Sequence, residues 1–135
     1  TVWGNGGIGI DGQFFASVLD NSINSNTGAA VRVNHGSLVR GNSITSNGGG
    51  GIVAQTGALV EGNVLYANGV GAPASPGIQA GTGTMIRGNS VRASGGIGLS
   101  IGQTGYAGNV IFDNQGGTVS GGVNLGGNYC NPSCP

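Results

Sequence analysis

The chain has 135 residues, 32 of them glycine, and only 6% of its side chains are charged, against about 25% in ordinary globular domains. Collagen is excluded because glycine does not recur at every third position, and disorder fits poorly because aliphatic residues return at regular intervals. Four arginines balance four acids and lysine is absent, so no basic face exists to bind nucleic acid, and no apolar run reaches the ~18 residues that insert into a membrane as a helix.

From the start, Val2-Trp3-Gly4-Asn5 matches Leu65-Tyr66-Ala67-Asn68 and Ile111-Phe112-Asp113-Asn114. The chain is therefore expected to begin inside a repeat, continuing from a removed or partner segment. The unit Asn-x-aliphatic-x-x-Asn/Ser follows at Asn21/Ile23/Asn26, Asn42/Ile44/Asn47, Asn63/Leu65/Asn68, Asn89/Val91/Ser94 and Asn109/Ile111/Asn114. Each copy is followed by glycines and a short apolar strand, at 30–34, 51–55, 77–81, 98–102 and 122–126. Three residues before each first asparagine stands Val18, Val39, Val60, Ile86 or Tyr106. Between Asn68 and Gly77 the stretch GVGAPASP adds about five residues, and its prolines predict a loop outside the ladders.

A period near 21 residues with three short strands and Gly/Asn corners predicts an all-β fold, a right-handed parallel β-helix of about six coils spanning residues 1–129. One coil cannot bury its apolar face, whereas stacked coils place each inward residue over its equivalent. The expected inward columns are Ile8/Val31/Ile52/Ile78/Leu99/Val123 with Ile10/Val33/Ala54/Ala80/Ile101/Leu125, then Val18/Val39/Val60/Ile86/Tyr106, then Ile23/Ile44/Leu65/Val91/Ile111. Asn21, Asn42, Asn63, Asn89 and Asn109 are expected to take left-handed corner conformations and form an amide ladder along the axis. The run Gly48 to Gly51 is expected to supply positive φ.

Residues 130–135 break the repeat. Cys130 and Cys134, with no other cysteine in the chain and no histidine nearby, predict a local disulfide and hence an oxidising compartment, secreted, extracellular or at the cell surface. The tail is expected to cap the helix. No metal site and no cofactor are implied.

These repeats resemble the parallel β-helix proteins of the pectate-lyase-like superfamily, in secreted bacterial versions with a short Cys-containing tail. The resemblance covers residues 2 to about 129 and implies a fold shared by polysaccharide lyases, hydrolases, tailspikes, adhesins and structural coils. Enzymes of that class use clustered aspartates with Lys or Arg, often around calcium. Here the acids are scattered, and the weak catalytic candidates reduce to Asp11 beside His35.

Two functional expectations follow. In the first, the chain is a structural module that associates with itself, end to end or laterally, because an open coil end is a template for strand addition. The residues involved are Val2, Trp3, Ile8 and Ile10 at one end and Val123, Leu125 and Tyr129 at the other, and head-to-tail repetition gives a filament. In the second, an extracellular polysaccharide is bound or cleaved through Asp11/His35 or an outward strip of Trp3, Tyr66, Arg92 and Phe112, a strip that also serves as the expected contact for a partner or another copy, its last three residues forming a cation–π stack.

Overall fold

The computed structural model describes residues 1–71 and 73–135; Ala72, inside the expected insertion loop, lies outside them. The described residues contain no helix and form three parallel sheets of seven, six and six strands, each strand two or three residues long. The chain passes from one sheet to the next and returns one layer further along, which makes a β-solenoid. The first sheet holds Ile10–Asp11, Val31–Val33, Ile52–Ala54, Ile78–Ala80, Leu99–Ile101 and Val119–Ser120. The second holds Ser17–Leu19, Leu38–Arg40, Leu59–Glu61, Met85–Arg87, Gly105–Ala107 and Val123–Asn124. The third holds Val2–Trp3, Ser22–Asn24, Ser43–Thr45, Val64–Tyr66, Ser90–Arg92, Val110–Phe112 and Tyr129–Cys130.

Strands this short are stable only because each lies between two others and turns one side chain in three, or two, toward a shared interior. Ile23, Ile44, Leu65, Val91 and Ile111 stack in register and are buried, as are Val18, Val39, Val60, Ile86 and Tyr106. Each buried aliphatic side chain contributes about 1.5–3 kcal/mol of transfer free energy.

The first-sheet column differs from the expected one at both ends. Ile10, not Ile8, is level with Val31, which moves Ile8 out of the column. At the other end Leu99 pairs with Val119, not Val123. Val123 lies one sheet further on, level with Gly105, and Asn124 is level with Tyr106. Val123 and Leu125 are consequently 58% and 55% exposed, whereas Val119 is 8% exposed. The last coil is shorter than the others, and Gly121 and Gly122, both at φ near +80°, make its corner where a first strand had been expected.

The corners correct two further expectations. None of the ladder asparagines is left-handed. The residue before each one is: Asp20, Gly41, Gly62, Gly88 and Gly108 before the first ladder, and Ser25, Ser46, Ala67, Ala93 and Asp113 before the second asparagines. In the run Gly48 to Gly51 only Gly50 has positive φ. The other three are glycine because neighbouring coils are too close: a Cβ at Gly49 would stand 2.6 Å from the Ala29 nitrogen, and one at Gly48 would stand 2.5 Å from the Thr27 carbonyl oxygen.

The extra residues after Asn68 leave the stack at Gly69 and rejoin it at Ser75. Gly69 N–H donates to Asn47 O, Ser75 N–H to Gly69 O, and Gly96 N–H to Ser75 O. Pro73 thus stands outside the ladders, whereas Pro76, which has no N–H to donate, accepts from Gly51 N–H at 3.3 Å, and the coil spacing is preserved across the insertion.

Candidate functional site

Two amide ladders run the length of the solenoid and give it a direction. In the first, Asn42 donates its backbone N–H and its Nδ2 to Asn63 Oδ1 at 3.0 and 2.9 Å. Asn63 does the same to Asn89, and Asn89 to Asn109. Asn109 donates in turn to Asn128, at 2.9 and 3.0 Å. Asn21 heads this row with its N–H 2.9 Å from Asn42 Oδ1. The second ladder repeats the arrangement from Asn5 to Asn26, Asn47 and Asn68. It is interrupted at Ser94, whose buried Oγ has no partner, and resumes where Ser94 N–H donates to Asn114 Oδ1.

Between rungs the donors lie on the earlier coil and the accepting Oδ1 on the later one, while Nδ2 groups also donate back to a backbone carbonyl of the preceding coil, as Asn42 Nδ2 does to Val18 O. The two ends are therefore chemically different. At the first coil the Oδ1 atoms of Asn5 and Asn21 accept nothing from the described residues. At the last coil the backbone N–H groups of Asn114 and Asn128 donate to nothing among them.

The two ends also differ in cover. Around the first coil Val2, Ile8 and Ile10 are half-buried, with Val2 and Ile10 packed against the core from one side only. Trp3 is 70% exposed beside them. Around the last coil, residues 130–135 cross the end of the barrel. Cys130 and Cys134 form the disulfide and pack on the core, the Tyr106 hydroxyl donates to the Pro135 carbonyl, and Thr118 Oγ1 donates to Ser133 O at 2.5 Å. Tyr129 is exposed and its strand pairs with Val110–Phe112. Val123 and Leu125 lie on the outside of the barrel, with Leu125 against Gly105, so they do not form an open apolar end.

The expected outward row is in register: Trp3, Asn24, Thr45, Tyr66, Arg92 and Phe112 occupy equivalent positions on successive third-sheet strands. The Arg92 guanidinium carbon lies 5.7 Å from the Tyr66 ring centroid and 5.0 Å from that of Phe112, and its Nε lies 3.8 Å from Asp113 Oδ2. Arg92 thus covers one face of each ring. Asn24 and Thr45 separate Trp3 from this stack, so the aromatic strip is not continuous.

The Asp11/His35 pairing is not formed. Because Ile10 is level with Val31, Asp11 is level with Arg32 and not with Asn34. Arg32 grips both carboxylate oxygens, Nη2 to Oδ2 at 2.6 Å and Nε to Oδ1 at 3.1 Å. This holds the Asp11 carboxyl below its ordinary pKa and raises that of Arg32. His35 stacks instead on Phe14, ring centroids 5.5 Å apart. Among the described residues, no three of His, Cys, Asp and Glu come together as a metal site, and the surface has no cleft.

Sequence reading missed Phe14 and Phe15. Phe15 is 80% exposed and left-handed at φ 54°, where the next three coils place Gly36, Gly57 and Gly83. An aromatic residue in that conformation is an outlier. The signal was the 21-residue spacing from Phe15 to Gly36 and Gly57. Asn128 was likewise missed as the last rung of the first ladder.

Family models, curated proteins and solved structures were compared with the chain, and none matches.

Proposed function

We propose that this chain is an extracellular structural solenoid that associates with copies of itself end to end, head to tail. The observation that carries the reading is the polarity of the two ladders. A first coil offers the free acceptors of Asn5 and Asn21, and a last coil the free donors of Asn114 and Asn128. First coil against first coil would oppose acceptor to acceptor. Last against first pairs every group, Asn114 with Asn5 and Asn128 with Asn21, and continues the parallel strands with the spacing used inside the molecule. A heterologous contact of this kind repeats into a filament unless it closes into a ring. The aliphatic groups half-covered at the first coil, Val2, Ile8 and Ile10, supply the apolar area for the contact.

Two further features support the setting. The Cys130–Cys134 disulfide suits an oxidising compartment, and the three stacked parallel sheets with asparagine corners suit the secreted pectate-lyase-like solenoids. Three of the four acids face arginine and are not clustered for catalysis of that class: Asp11 is held by Arg32, Glu61 by Arg87 at 3.0 Å, and Asp113 lies near Arg92.

Sedimentation velocity over a concentration series, with oxidised and reduced protein, tests the reading. The expected result is particles that lengthen along one axis without thickening, and their loss in Asn5→Ala/Asn21→Ala. A chain that stays monomeric at every concentration in both states overturns it.

A further inference from the structure

The sheets contain seven, six and six strands, and the count carries a consequence for any end-to-end contact. A solenoid that continues without a seam from one copy into the next must add the same number of strands to each sheet per copy. The third sheet holds one strand more than the other two, with Val2–Trp3 at one edge and Tyr129–Cys130 at the other.

The excess strand can be located. If the Asn5 of an incoming copy sits on Asn114 and its Asn21 on Asn128, its Ile10–Asp11 lies on Val119–Ser120 and its Ser17–Leu19 on Val123–Asn124. Its Val2–Trp3 then falls on the edge of Val110–Phe112. That edge is occupied: Tyr129 is level with Val110 and Cys130 with Ile111, Tyr129 N–H donates to Asn109 O, and Asn131 N–H to Ile111 O.

We infer that residues Tyr129–Pro135 are a displaceable plug, seated in the slot that the Val2–Trp3 strand of a second copy would take. This rests on the head-to-tail reading above and adds the site and the control of the contact. The plug imitates the strand it replaces. Cys130 faces inward over Ile111, as Val2 of the incoming copy would. The hoop closed by Cys134 packs both sulfurs against the core beyond it, at the end where Val119 is buried.

The plug is also built to leave. Its disulfide joins two residues of the plug itself and makes no covalent tie to the barrel. What holds it are the short strand pairing, the packing of the two sulfurs, and the bonds from Tyr106 and Thr118 to the Pro135 and Ser133 carbonyls. An edge strand shielded in this way is protected from pairing with another chain until the shield is removed. A dithiol reductant opens the hoop: its two thiols become a disulfide, and Cys130 and Cys134 become thiols.

The test compares the native chain, Tyr129→Pro, which removes the plug's N–H donor to Asn109, and Cys130→Ser/Cys134→Ser, which opens the hoop. Far-ultraviolet circular dichroism and urea unfolding check that the variants keep the solenoid. Both variants are expected to form end-to-end particles at concentrations at least about tenfold below the native oxidised chain. In the Cys130→Ser/Cys134→Ser background, Trp3→Cys and Phe112→Cys are added, because those positions become neighbours only if the slot changes hands. A short bis-maleimide is expected to give a ladder of covalent multimers.

Folded variants that assemble no more readily than the native chain overturn the plug. That result leaves head-to-tail docking standing, whereas end-to-end particles without the 3-to-112 crosslink overturn both the plug and the seating of Asn5 on Asn114. Absence of assembly in all chains removes the docking reading and the plug with it.

Discussion

Asn42 and Asn63 are joined twice through one oxygen: the backbone nitrogen and the Nδ2 of Asn42 lie 3.0 and 2.9 Å from Asn63 Oδ1. Both residues are buried, so that oxygen is the only water substitute these donors have in the following coil. Asn63→Ala leaves the Asn42 N–H unsatisfied, whereas Asn42 Nδ2 keeps Val18 O and Arg40 O, and it also removes the Asn63 Nδ2 bonds to Val39 O and Glu61 O. Each buried orphan costs about 1–3 kcal/mol. The expected loss in urea unfolding is at least about 2 kcal/mol, while Asn21→Ala, which removes only the exposed Nδ2 bond to Leu19 O and leaves Asn21's own N–H in place, is expected to cost under about 1 kcal/mol.

Ser94 is the one rung of the second ladder that is not asparagine between Asn5 and Asn114, and its Oγ is buried without a partner. Gly77 faces it, as Gly9 faces Asn26 and Gly98 faces Asn114, so room for a longer amide exists. Ser94→Asn is expected to join Asn68 to Asn114 and to raise stability by about 1–2 kcal/mol, one or two net hydrogen bonds. A midpoint at or below that of the native chain in urea shows that the extra five residues of this coil displace the rung.

Phe15 occupies a corner that its equivalents fill with glycine. Releasing a side chain from the left-handed region returns about 1–2 kcal/mol, and glycine gives back about 0.5–1 through its freer unfolded chain. Phe15→Gly is therefore expected to stabilise the monomer by roughly 0.5–1 kcal/mol, seen as a higher melting temperature. Reduced end-to-end association in the same variant would identify the strain as retained for contact, since the ring projects from the first coil.

Two titrations have opposite signs. Arg32 depresses the Asp11 carboxyl, so its contribution is present above the ordinary aspartate pKa and is lost as pH falls through the lower folded value. Arg32→Gln should return the Asp11 carbon shift midpoint to the usual range. Burial raises the Tyr106 hydroxyl. Its contribution is complete below the unfolded tyrosine pKa of about 10 and is lost as pH rises through the higher folded value. Because that hydroxyl donates to Pro135, alkaline titration should loosen the tail first, read as protection lost at the amides of Asn131, Ser133 and Cys134 beyond the intrinsic base-catalysed rise in exchange, and Tyr106→Phe should remove that excess.

Spacing alone determined the central coils. Every rung from Asn42 to Asn109 and every inward residue from Val31 to Ile111 recurs at a near-constant interval, and stacking rewards such recurrence directly, because each residue packs on its own equivalent. The same logic made the Trp3-to-Phe112 row legible, since outward residues inherit the register of inward ones.

What only the tertiary structure decided lies at the ends and the corners. The registers of Ile10 and Val119, the Arg32 partner of Asp11 and the seat of Tyr129–Cys130 depend on a terminal coil having one neighbour, so no repeat exists there to align against. Left-handed turns fall beside the asparagines and not on them, because an amide that spans two coils needs its own backbone extended into the stack. Periodicity states which residues coincide; the direction of the ladders, and with it the difference between the two ends, is a property of how their atoms face one another across the gap.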